Sequence, residues 1–205
     1  MILSIGSNMP KRNRKKVHYS RYLTINNEEL EVNADYQKGY GVYVPIIQKT
    51  VEQLDACYRI HKRVCVIVFI LHHRETSQDN KDISRFMNVI KQWIKRKYKT
   101  KNIGSVWVRE WEKTKSKSHH YHCALMVDGD VVNNSFTILQ AIKSKWFKHG
   151  HVPVDKVEVP HYNLRKENYK ETRDAIIWRL SYYAKPRGKG YRHAQSSDYQ
   201  TSRLK

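Results

Sequence analysis

Apolar positions along this chain fall into two periods, and the switches between them divide it into alternating helices and strands. After Pro45, Ile47, Val51, Leu54 and Tyr58 recur at helical spacing. Val64 to Leu71 is a continuous apolar run dense in β-branched residues, which reads as a buried strand. Asp79 or Asn80 can cap a long helix that carries Ile83, Phe86, Met87, Ile90, Trp93 and Ile94 on one side. Asn102-Ile103-Gly104 is a turn, and Ser105 to Trp111 alternates as a strand. Glu112 to Ser118 is a polar hairpin loop leading into a strand from about His119 to Val127. Asn133 or Asn134 starts another helix, with Ile138, Leu139, Ile142 and Trp146, ended by Gly150. Val154 to Val159 is a short strand, and a last helix covers Tyr169 to Lys185 and stops before Pro186. Residues 1–40 look irregular.

The order is strand, helix, strand, strand, helix, strand, with a helix added at each end. That is the α+β, ferredoxin-like βαββαβ pattern: an antiparallel sheet with both crossover helices on one face. The other face is left open or is covered by a terminal helix. The chain then divides into a basic N-terminal arm over 1–44, a main domain over 45–186 and a basic tail over 187–205.

Charge changes the picture from fold to partner. Thirty-nine Lys and Arg stand against nineteen Asp and Glu, a formal net charge of +20. Such a chain suits a polyanion, with nucleic acid ahead of an anionic membrane. The basic run Lys11, Arg12, Arg14, Lys15 and Lys16 can track phosphates. So can the lysine-rich end of the long helix at Lys95, Arg96 and Lys97, and Arg187 and Lys189 in the tail. No apolar run spans a bilayer. The three cysteines, Cys57, Cys65 and Cys123, lie in apolar contexts and read as reduced core residues of a cytoplasmic protein.

The candidate chemistry begins at His119-His120-Tyr121-His122. On an extended strand His120 and His122 point to one face, with Ala124 and Met126, while His119 and Cys123 point to the other. Tyr121, Cys123, Leu125 and Val127 should meet the crossover helices, leaving the histidine pair on the open side. On the preceding strand Glu110 sits near the loop end, so a hairpin brings it beside His120; Glu112 has the same facing and is the substitute. Two imidazoles and a carboxylate with open positions suit a catalytic divalent ion such as Mg²⁺ or Mn²⁺. In the last helix Ile176, Ile177, Leu180, Tyr183 and Ala184 form the apolar band. Trp178, Tyr182 and Lys185 share a different flank, which leaves Tyr182 as the free tyrosine with Lys185 one turn beyond. A lysine there can stabilise a phenolate or offset charge in phosphoryl transfer.

Jointly, the His120-Tyr121-His122 strand, the upstream glutamate, Tyr182-Tyr183-Ala184-Lys185 on a following helix and the element order resemble the HUH endonucleases. The stretches Val106 to Glu110 and Trp178 to Tyr182 are similar to the replication initiators of filamentous phages and their prophage relatives. The resemblance covers roughly residues 45–186 and implies a metal-dependent DNA nicking enzyme of the host cytoplasm. Its metal would be held by His120, His122 and Glu110, its nucleophile would be Tyr182 assisted by Lys185, and its product a 5′-phosphotyrosine adduct, as in rolling-circle replication. The host replication machinery is a further expected partner. The same chemistry could instead act on a foreign replicon, and an RRM-like binding module without catalysis is the other alternative.

Overall fold

The segment expected to be an irregular arm is in fact strand-rich. β1 (Val17–His18) is followed by a hairpin of β2 (Tyr22–Ile25) and β3 (Glu28–Glu31), and β4 (Val42–Tyr43) returns to pair with β1. Asn26 and Asn27 both take positive φ, 52° and 64°, the left-handed pair that a two-residue hairpin turn requires. Leu23, Ile25, Leu30 and Val32 are buried. The structure is a computed structural model and describes residues 16–77, 79–111, 118–153, 157–191 and 196–205. Lys11, Arg12, Arg14, Lys15 and Glu112 lie outside the described residues.

The remaining elements follow as α1 (Val44–His61), β5 (Val64–His73), α2 (Lys81–Tyr98), β6 (Gly104–Glu110) and β7 (His120–Asp128). After them come α3 (Phe136–Trp146), β8 (Gly150–His151), β9 (His161–Leu164), α4 (Tyr169–Ser181) and β10 (Tyr199–Thr201). β9, β5, β7 and β6 lie side by side in that order, every pairing antiparallel, which is the ferredoxin-like arrangement. β10 extends the sheet beyond β6, so the last residues are not a loose tail.

Three boundaries differ from the sequence reading. The strand expected at 154–159 falls partly on undescribed residues, and Val157 to Val159 are not strand; β5 is paired instead by His161–Leu164. Polar, half-buried edge residues carry that strand, so apolar patterning passes over it. α3 starts at Phe136 and ends at Trp146. Gly150 is not its cap but a strand residue pressed on β5, where a Cβ would meet the His72 carbonyl oxygen at 1.8 Å. α4 ends at Ser181, and Tyr182–Ala184 tightens into a 3-10 turn.

The sheet separates two cores. Cys65, Ile67, Phe69, Trp107, Tyr121, Cys123 and Leu125 pack against α2 and α3. Val66, Val68, Val106, Val108, Ala124 and Met126 pack against α1 and α4. The face expected to be open is therefore covered by both added helices, because each brings an apolar stripe of its own. A bare sheet platform for RNA, which the RRM-like reading needs, is missing among the described residues.

One polar knot ties the N-terminal hairpin to this layer. Arg173 of α4, its side chain 5% exposed, pairs with Glu28 of β3 at 2.6 Å and with Asp55 of α1 at 2.8 Å. Both carboxylates are gripped by two guanidinium nitrogens. Because both acids keep access to water, Arg173→Ala is expected to cost about 2 kcal/mol, short of the loss for a fully buried pair. Urea unfolding followed by circular dichroism measures it; an unchanged midpoint would contradict the role given to Arg173.

Candidate active site

Strand register assembles the site. Glu110 on β6 lies directly opposite His120 on β7, and Val108 opposite His122. Directly opposed residues share a face, so Glu110, His120 and His122 converge, their ligand atoms all within 4.8 Å of one another. The Nε2 atoms of His120 and His122 are 3.2 Å apart, and His122 Nε2 is 3.6 Å from Glu110 Oε2. Glu110 and His122 are buried and His120 is half-buried.

Each ring is oriented by neighbours. Tyr183 stacks on His122, centroids 4.9 Å apart and planes at 21°. On the other side of His120, His72 of β5 stacks at 5.2 Å, and His151 of β8 stacks on His72 at 4.7 Å. His151, His72, His120 and Glu110 thus form one row across four strands. His119 faces the opposite core, fully buried against Tyr121 and Arg109.

The 3-10 turn separates the two tyrosines. It sends Tyr183 into the core and turns Tyr182 toward solvent, half-buried, with its ring edge to His122 at 5.8 Å. The Lys185 N–H donates to the Tyr182 carbonyl, and the Lys185 ammonium lies 4.0 Å from the Tyr182 ring centroid, over its face. Tyr182, Lys185 and Glu110 line one pocket of about 400 Å³. Its far wall is Tyr19, Lys38 and Tyr40 of the N-terminal segment.

Electrostatics suit a cation. Burial pushes His120 down to about 4, with His122 adding to the shift and Glu110 opposing it. Burial likewise lowers His122 against the pull of Glu110. Burial alone would raise the Glu110 carboxyl, but His122, Lys189 and His120 outweigh it and hold Glu110 below its usual range. Neutral imidazoles beside an ionised carboxylate are the donor set a divalent ion requires, so these residues fit one. Lys185 is lowered, first by burial and then by Arg187.

The cations expected to bind DNA are dispersed. Lys16, Arg96, Lys97 and Arg187 are exposed, and Lys95 is half-buried. Lys95, Arg96 and Lys97 end α2, across the sheet from the pocket, whereas Arg187 lines the pocket. Lys189 is not a surface residue. Its side chain is 1% exposed and its Nζ stands 3.6 Å from Glu110 Oε2. The backbone beneath explains why: Gly188, at φ 73°, passes so close that a Cβ would meet Glu110 Cγ at 2.5 Å. Lys189, His72, Tyr19 and Tyr40 are site neighbours that sequence reasoning missed, since each arrives by tertiary contact; only the long His72–His120 register carried a readable hint.

These shifts carry a stability consequence. Buried His119 is held at about 3, by burial first and Arg109 second, and His120 and His122 are also depressed. The unfolded chain therefore takes up protons below about pH 6.5 that the native state refuses. Stability of the metal-free protein is expected to be full above pH 6.5 and to fall toward pH 4, by up to about 1.4 kcal/mol per pH unit for each histidine that stays neutral. Urea midpoints at several pH values measure this; a midpoint constant from pH 7 to 5 would contradict it.

A ferredoxin-like sheet holding a His–His–Glu donor cluster next to a tyrosine–lysine turn defines a class of protein built for phosphoryl chemistry. The chain belongs to the ORF2-type replication-associated protein family, whose model matches residues 69–185, more than half its length. Glu110, His120, His122, Tyr182 and Lys185 all fall inside the match, and the resemblance to replication initiators holds at family level. No curated protein and no solved structure matches the chain. No helix among the described residues is long and apolar enough to cross a membrane.

Proposed function

We propose that this protein is a DNA nicking enzyme that initiates rolling-circle replication by tyrosine attack on one strand. The observation that carries this reading is the shared pocket: Tyr182 and Lys185 meet Glu110 of the donor cluster in one cavity. Glu110, His120 and His122 would hold a divalent ion, Mg²⁺ or Mn²⁺, which when bound polarises the scissile phosphate.

Tyr182 Oη attacks the phosphorus. A P–O bond to the tyrosine forms, the P–O3′ bond breaks, and the leaving oxygen takes up a proton to become a free 3′-hydroxyl. The phenolic proton passes to solvent. Lys185, already beside the ring, offsets the charge that builds on the phosphoryl oxygens. The 5′-phosphotyrosine retains the energy of the broken phosphodiester, so the same site can rejoin strands. Tyr183 cannot take this part: it is 2% exposed, and burial pushes its hydroxyl far above the usual tyrosine range.

DNA is the partner that a charge of +20 and a replication-associated family support. Incubation with supercoiled plasmid and Mg²⁺ or Mn²⁺ tests the reading. Open circles should appear with the metal and vanish with chelator, and nicking that persists in chelator would remove the metal from the account.

A further inference from the structure

The pocket at Tyr182 does not end at its N-terminal wall. It runs into a wider groove of about 870 Å³, and the two hollows share Tyr19, Lys38, Tyr40 and Lys185. Tyr36 and Trp178 stand further along it. These aromatic side chains are unusually bare: Tyr36 is 80% exposed, Tyr40 50% and Trp178 38%. Cations lie by the rings, with Lys185 Nζ 5.1 Å from the Tyr40 centroid and the Arg21 guanidinium 6.0 Å from that of Trp178. Arg21 and Lys38 have exposed acidic partners in Glu31 and Asp35, pairs weak enough in water to yield to a phosphate.

The wall is also anchored. The Asn33 N–H donates to Ser181 Oγ at 2.8 Å, Asp35 and Tyr40 are bridged, and Gly39 closes a turn on the Tyr36 carbonyl. Flat exposed rings interleaved with cations along a fixed groove match unpaired bases and their phosphates. A duplex hides its base faces within its own stack.

We propose that this groove is a single-stranded DNA subsite in which bases next to the scissile phosphate stack on Tyr36, Tyr40 and Trp178. It rests on the proposed nicking function for what lies at its end, Tyr182. The subsite extends recognition beyond the segment matched by the family model, onto the N-terminal residues of this chain.

The test uses full-length protein carrying Tyr182→Phe and a fluorescein-labelled single strand of roughly 15 nucleotides, with its duplex as control. Tyr36→Ala and Trp178→Ala are each expected to weaken single-strand binding about fivefold or more. Duplex binding and the salt slope should stay unchanged, because no phosphate contact is lost. Tyr36→Phe should bind like the parent, which separates stacking from misfolding. Single-strand affinity unaltered by the alanine changes, or equal losses on both substrates, would overturn the proposal. The nicking reading is scored apart, with Tyr182 restored. A covalent adduct alongside normal single-strand binding in the alanine variants sinks the groove alone. Selective single-strand losses without any adduct sink the nicking reading alone.

Discussion

Replacing Tyr182 with Phe is expected to lower nicking of supercoiled DNA by at least about a thousandfold and to abolish the covalent adduct, since no other step supplies the nucleophile. DNA affinity should stay within about twofold, because the ring that Lys185 covers is retained and a neutral surface hydroxyl contributes little to phosphate binding. Gel-resolved nicking and anisotropy on the same preparation give both values. Tyr183→Phe is the informative companion. Its ring stacks on His122 and its hydroxyl is buried, so the variant should keep its nicking activity. If Tyr183→Phe were dead and Tyr182→Phe active, the division of labour made by the 3-10 turn would be reversed.

The second large effect is expected from His120→Ala combined with His122→Ala. The two Nε2 atoms that face each other at 3.2 Å are both removed, leaving Glu110 of the donor cluster beside Lys189. Metal-dependent cleavage should fall at least about a hundredfold, and Mn²⁺ binding by calorimetry should become undetectable. His122 also carries the stacked Tyr183, so melting temperature must be followed in parallel. A protein that melts lower yet still binds Mn²⁺ would show that the histidines serve packing and not the ion.

The parts of this molecule that can be read from its sequence are those where one period runs long enough to dominate. α2 and the paired strands β5 and β7 announce themselves by helical spacing or by unbroken apolar runs. The hairpin register of β6 and β7 then follows from one loop, and with it the approach of Glu110 to His120. The β2–β3 hairpin does offer a signal, Asn26-Asn27 between alternating Leu23, Ile25 and Leu30, but four-residue strands among exposed tyrosines and glutamates carry little weight by periodicity alone. Gly150 misleads because a glycine after a helix suggests a cap, whereas here it answers a close approach of two strands.

The site divides the same way. His120, His122, Tyr182 and Lys185 stand together in local motifs, so alternation and helical angle sort them by face. Lys189 against Glu110, His72 against His120 and the Tyr19–Tyr40 wall depend on where the chain's two ends fold back. Those contacts are made at long range and leave no periodic trace. The 3-10 turn at Tyr182–Ala184 is likewise invisible to a uniform helical wheel, although the flank it gives Tyr182 and Lys185 agrees with one.

The central claim is a covalent bond between Tyr182 and a 5′-phosphate. Protein incubated with supercoiled plasmid and Mn²⁺, then digested with nuclease and trypsin, can be mapped by fragment mass spectrometry. The account predicts a nucleotide 5′-phosphate on Tyr182 in the peptide that ends at Lys185, with Tyr183 unmodified. Nicked plasmid with no modified peptide, or the nucleotide found on any other residue, would contradict it.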